Sequence, residues 1–299
     1  MNPDSLENLN EFQDANVTLT FVQLIDSGTL LRTQDFGIGD PSNSSHTLGY
    51  AAAVAANGDD VYVVDQMSGN VLRINVSTGE SRILAKLIDP TTHGLFVSRD
   101  RSIFVVDKFE RAVRQLDDIG RTTRLFSDDN LLPEPVDVTE TNWGDIVIAD
   151  ALNSRLVLFK PLANVFDVIG SNMRRLSVAQ TLHAISAIGN SVLVLDSGAG
   201  EVMRFNLNGN QIGSYGEDDL VLPTAFAVDQ CGRLFVADGS RLGLHVSVLD
   251  MMVPPARAQQ NTSIPDNITD MWVDGSFLYI AAGSLGISIY LIEPSCAVY

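Results

Sequence analysis

A short string recurs along this chain: a turn, four or five strand-forming residues, then an aspartate. It reads Asp59-Asp60-Val61-Tyr62-Val63-Val64-Asp65, then Arg101-Ser102-Ile103-Phe104-Val105-Val106-Asp107. It returns as Gly144-Asp145-Ile146-Val147-Ile148-Ala149-Asp150, Asn190-Ser191-Val192-Leu193-Val194-Leu195-Asp196 and Gly232-Arg233-Leu234-Phe235-Val236-Ala237-Asp238. A sixth copy, Gly275-Ser276-Phe277-Leu278-Tyr279-Ile280-Ala281-Ala282, has alanine where the aspartate stood. The copies end at residues 65, 107, 150, 196, 238 and 282, so the unit holds between 42 and 46 residues. A period of that size marks a fold that uses one small unit repeatedly.

Each unit carries further strand-like runs. One follows the aspartate after a polar turn, as in Val71-Leu72-Arg73-Ile74 and Val202-Met203-Arg204-Phe205. Another precedes the string, as in Gly94-Leu95-Phe96-Val97 and Ala225-Phe226-Ala227-Val228, and weaker fourth runs include Thr122-Thr123-Arg124-Leu125-Phe126. Four strands in about 43 residues make one propeller blade. Helical periodicity is almost absent; only 172–180 reads as a short helical turn. The last unit lacks a fourth run, while residues 17–25 form a strand with no blade of their own. The expectation is an all-β, six-bladed β-propeller in which 17–25 supplies the outer strand of the last blade and closes the ring. Residues 1–16 are then an extension and 17–299 a single propeller domain.

Composition narrows the function. The chain has 37 Asp plus Glu against 19 Lys plus Arg, a formal charge of −18. That balance repels a nucleic-acid backbone, and no basic patch offsets it. No apolar run reaches the ~18–20 residues of a membrane-spanning helix, and no secretory h-region follows the acidic start. The acidic side chains are mostly aspartate, which turns favour. Cys231 and Cys296 form no CxxC pair. Both are predicted on the same face of the disc, where a disulfide would fix the C-terminus in an oxidising compartment. Asn-x-Ser/Thr triplets at Asn16, Asn43, Asn75, Asn261 and Asn267 point weakly the same way.

Ligand positions follow from strand geometry. The first residues of each innermost strand should ring one mouth of the central channel. Aligning the six units by eye puts Tyr50, His93, Glu134, His183 and Thr224 there, with Asn267 or Thr269 completing the ring. Two imidazoles and a carboxylate can hold a divalent metal, zinc or calcium, with positions open for water or substrate. His46 lies in a loop leading toward the same face, and His245 on a third strand, where packing is expected. Asp65, Asp107, Asp150, Asp196 and Asp238 recur too regularly for catalysis, which needs a group once, so they are read as structural caps of the turns that follow. Arg73, Arg114 and Arg204 recur on third strands, where they can pair with nearby carboxylates.

The Pro223-Thr224-Ala225-Phe226-Ala227-Val228-Asp229 run and the strand ending Phe235-Val236-Ala237-Asp238 resemble the NHL-repeat family of six-bladed propellers, over roughly residues 48–292. That resemblance implies the fold; the fold hosts many unrelated activities. Within such propellers, peptidylglycine amidating lyases are similar at His93-Gly94-Leu95 and His183-Ala184-Ile185, which implies zinc held there. Their third histidine is replaced by Asn267 or Thr269. Gluconolactonase-like and paraoxonase-like propellers hold channel calcium, and Glu134, Asp137, Asn267 and Asp270 are the nearest equivalents here. The expected function is an extracytoplasmic, monomeric propeller that binds a protein, peptide or carbohydrate partner, with loops 36–48 and 254–266 as contact candidates. The alternative is a metal-dependent lyase or hydrolase working at the mouth lined by His93, Glu134 and His183.

Overall fold

The computed structural model describes residues 18–26, 30–33, 45–92, 94–169, 182–216, 220–238, 245–250, 267–293 and 295. It is an all-β propeller, with no helix among the described residues. These residues form six sheets, one per repeat unit. Five have four strands or more; the unit holding Pro223–Val228, Arg233–Asp238 and His245–Asp250 shows three. The described chain therefore completes five blades, not the six expected from the repeat. The stretch where a fourth strand of that unit would follow, 251–266, lies outside the described residues, as do 36–44 of the first contact loop and the whole of the predicted helical turn at 172–180.

Each recurring string forms the second strand of its sheet. Asp60–Asp65, Ile103–Asp107, Ile146–Asp150 and Ser191–Asp196 are buried along their whole length. A strand covered on both faces needs no polar alternation, which is why these segments read as unbroken apolar runs. Fourth strands such as Thr122–Phe126 and Val165–Ile169 are largely exposed, which explains their weak signature.

The core is divided into layers between neighbouring sheets. One cluster joins Val64, Val71 and Leu84 of the first unit to Leu95, Ile103 and Leu116 of the second. Others join each successive pair, and one joins the last unit to the first, through Tyr279, Ala281 and Ile287 packed on Ala51, Val54 and Val63. Aromatic rings thread the outer layers: Phe126 meets Phe159 edge-on at 5.1 Å, and Phe159 meets Phe166 at 4.9 Å.

The N-terminal strand Thr18–Ile25 pairs antiparallel with Ile287–Glu293, taking the outer place on the last unit's sheet. A register shift between Phe21 and Gln23 bends it around that edge. Gly286, at φ +90, lets the chain pass so close to this strand that a Cβ there would lie 2.0 Å from the Ile25 carbonyl oxygen. Leu30–Thr33 runs parallel to Glu80–Lys86, extending the first unit's sheet outward.

Candidate functional site

The innermost strands are Ala51–Asn57, Leu95–Val97, Pro135–Glu140, Leu182–Ile188, Pro223–Val228 and Asp270–Asp274. Where they begin is the leading mouth of the channel; where they turn into the second strands is the turn mouth. The positions predicted to ring the leading mouth do not all share one register. In four units a bulge interrupts the pairing of first and second strands, leaving Ala52, Val136, His183 and Thr224 between paired neighbours. Tyr50 and Glu134 lie two residues earlier than that bulge, so they do not share the register of His183 and Thr224. Glu134 is exposed, its amide donating to Asp150 Oδ1 at 3.2 Å and its carbonyl accepting from the Ala151 amide at 2.9 Å. Tyr50 takes the same place opposite Asp65 and Gln66.

Thr269 does match the bulge position, and its hydroxyl donates to the Ala51 carbonyl at 2.7 Å. Asn267 pairs instead with Tyr50, its Nδ2 donating to the phenol oxygen at 3.3 Å. The Thr224 hydroxyl is buried without a protein partner. His93 and Cys296 lie outside the described residues, and the side chains of His46, His183 and His245 are not described. Among the described residues no group of three His, Cys, Asp or Glu side chains is placed to hold a metal. Cys231 is disulfide-bonded.

The repeated aspartates face the leading mouth and are spent on backbone. Asp65 accepts from the Tyr50 and Met67 amides and from the Ser68 hydroxyl. Asp150 accepts from the Glu134 amide, from Asn153 and from Arg155 Nε at 3.0 Å. Asp196 takes the amides of Gly198 and Ala199, and Asp238 those of Val221 and Leu222. Asp107 accepts from Glu110 and pairs with Arg114 at 2.6 Å. Arg73 pairs with Asp60 at 2.6 Å, whereas Arg204 Nε donates to the Ser191 hydroxyl at 2.8 Å.

The principal cavity, about 820 Å³, lies at the other end. Its walls are the innermost strands and the turns that follow them, 56–57, 95–100, 137–144, 184–189, 226–230 and 270–274. None of the described side chains predicted at the leading mouth lines it. Register explains its shape. The residue opposite the one preceding each recurring aspartate is Ala53, Asp137, Ala184 or Ala225, and Asp270 in the unit where alanine replaces that aspartate. Gly94 holds this place in the second unit, its carbonyl accepting from the Val106 amide. Four small residues leave the bore open, and two aspartates stand at the same place three units apart.

Those two aspartates stitch units together. Asp137 accepts from the Val138 amide at 2.8 Å and from Ile185 of the next unit at 2.6 Å. Asp270 accepts from Met271 at 2.8 Å and from Val54 of the first unit at 2.9 Å. Burial pushes Asp137 up to about 7 against the pull of its two amides. Burial also holds Asp270 well above the usual carboxylate range, and the charge of Asp137 adds to it. Toward the opening, burial raises Glu140, with Asp100 adding repulsion and Arg99 opposing. Asp274 accepts from the Gly58 amide at 2.7 Å. Both tryptophans of the chain line the cavity. Trp272 meets Phe96 edge-on at 5.4 Å, and Trp143, 73% exposed, donates its indole N–H to Asn190 at the rim.

Asp137 and Asp270 entered the sequence reading only through likeness to calcium-holding propellers. Trp143, Trp272, Phe96, Glu140 and Asp274 escaped it. The available signal was a break in the repeat, where carboxylates replace alanine or glycine at one ring position.

Fold and channel together define a β-propeller with a ligand-sized recess at one mouth. No protein-family model matches the chain, and no curated protein matches its sequence. Solved structures do match its shape. A structural genomics protein from Bacteroides thetaiotaomicron is 14% identical with a TM-score of 0.67, over 89% of this chain and 75% of that one. Virginiamycin B lyase from Staphylococcus aureus is 12% identical with a TM-score of 0.62, over 92% and 99%. A streptogramin B lyase is 12% identical with a TM-score of 0.57, over 93% and 97%. At such identities the likeness shows the fold alone.

Proposed function

We propose that this protein is a monomeric six-bladed propeller of NHL-like build, sealed by its N-terminal strand, that acts as a binding scaffold outside the cytoplasm. Its partner is a protein, peptide or carbohydrate, and it docks at the turn mouth. One observation carries this reading: a cavity within the usual ~300–1,000 Å³ ligand range, walled by aromatic rings and a few fixed polar groups. The six packed layers between sheets make its walls rigid, so little order is lost when a partner docks. With two cysteines in the chain and Cys231 bonded, we assign Cys296 as its partner, which fits an oxidising compartment.

The test is a peptide and glycan panel read by intrinsic fluorescence, since both tryptophans border the cavity. Saturable binding that Trp143→Ala weakens supports the scaffold. Stoichiometric metal in the purified protein, lost in a His93→Ala/His183→Ala double variant together with hydrolytic or lyase turnover, would replace it with the enzyme reading.

A further inference from the structure

We propose that the cavity at the turn mouth is a receptor for an organic cation: a protonated amine or guanidinium on an apolar stem, as borne by a lysine or arginine side chain of a peptide. This deepens the scaffold reading and rests on it. Three independent features converge. The first is volume: the recess of about 820 Å³ admits a side chain with several flanking backbone atoms.

The second is charge. The described lining carries the carboxyl groups of Asp100, Asp137, Glu140, Asp229, Asp270 and Asp274. Against them stands Arg99 alone among lysines and arginines of that lining. Asp229 is neutralised from behind by Arg233, and Asp100 is held by the Ser98 hydroxyl and the Ser102 amide. Glu140 and Asp274 remain near the opening without an ion pair among the described residues, Arg99 acting on Glu140 only through its field. Glu140 is raised because burial and Asp100 both disfavour its charge. A cation drawn to Glu140 relieves that cost and gains a charge-assisted hydrogen bond, while Asp274, three units away on the same recess, adds to the negative field.

The third is aromatic surface. Phe96, Phe226, Trp143 and Trp272 all contribute to the walls, so the only two indoles of 299 residues share one recess. Tryptophan has the strongest attraction for a cation over its ring, and its apolar face also covers an alkyl stem. A carbohydrate would use the rings but gain nothing from the carboxylates. An anionic ligand would be repelled by them.

The experiment titrates the intact protein with Gly-Gly-Lys-Gly-Gly, Gly-Gly-Arg-Gly-Gly and the neutral Gly-Gly-Gln-Gly-Gly, with agmatine and putrescine as peptide-free cations, following tryptophan fluorescence and calorimetry. Cationic ligands are expected to bind roughly tenfold or more tightly than the neutral peptide, and added salt should weaken them. The charge-neutral pair Glu140→Gln/Asp274→Asn should lose that preference while melting like the wild type, and Trp143→Ala should weaken cationic ligands severalfold. Peptides outbinding agmatine and putrescine assign the source to a polypeptide; the reverse assigns a small amine. Equal binding of the lysine and glutamine peptides overturns the cation inference, as does a preference that survives the Gln/Asn pair. If neutral sugars or peptides bind instead, the scaffold reading stands and only the cation falls. If nothing enters the recess, both fall.

Discussion

The rim of the leading mouth and the floor of the recess are built from the same amino acid put to opposite uses. At the leading mouth, aspartate recurs in register, at 65, 107, 150, 196 and 238, and backbone amides of the first strand's start or of the next turn occupy its oxygens. Around it Met67, Phe109 and Leu152 are exposed from the turns that follow those aspartates. On the floor of the recess, aspartate breaks the repeat, at 137 and 270, where other units have alanine or glycine. There it bridges neighbouring units and narrows a recess. Repetition distributes a residue where the scaffold needs it; a break in repetition places it where a single location needs it.

The largest effect that would sharpen this contrast is expected at the leading mouth. Asp150→Ala strands the Glu134 amide and the partly buried Arg155 guanidinium, and should cost about 3 kcal/mol. Calorimetry should show a fall of several degrees in Tm. Unchanged Tm would break the scaffold side of the comparison. Gly286→Ala should cost about 2 kcal/mol or more, because positive φ and the Ile25 carbonyl both exclude a Cβ. Hydrogen exchange should then report faster opening of Thr18–Ile25 than of Ile146–Asp150, and equal protection would argue that the seam is not a weak edge.

A subtler difference lies in pH dependence. Asp137 and Asp270 titrate higher folded than unfolded, so the folded state holds extra protons between the two values. Their stabilisation is complete below about pH 4 and is lost as pH rises through about 7 for Asp137. Asp137→Asn keeps an acceptor for the Ile185 amide and should flatten the decline of Tm with pH by the equivalent of a few kcal/mol. An identical slope in wild type and variant would mean the carboxylate is not desolvated. The smallest effect should be Glu134→Ala, an exposed side chain, within about 0.5 kcal/mol of wild type. A metal that depends on Glu134 would restore the predicted trio.

The second strands were legible in the sequence because burial on both faces leaves unbroken runs such as Val61-Tyr62-Val63-Val64. The outer position of the N-terminal strand was legible too, since Val17 to Ile25 had no other sheet to join. The leading-mouth ring was not. The equivalents of His183 at the shared bulge are Ala52 and Val136, which nothing in the sequence marks, so Tyr50 and Glu134, two residues earlier, took their places in the predicted ring. The recess escaped for a different reason. Its rim comes from turns such as Ser98 to Asp100 and Thr141 to Gly144, whose sequences differ from unit to unit and carry no periodic signal.

The pairing of Thr18 with Glu293 spans nearly the whole polypeptide. The strand Thr18–Ile25 leaves the ribosome long before the strand it pairs with and waits for it, with Phe21, Val22 and Leu24 among its residues. Contacts of such sequence separation are slow to form, and until they do the final sheet has a bare edge open to other chains. Assembly of this propeller is thus governed less by any one unit than by the delay between synthesising these two partner strands.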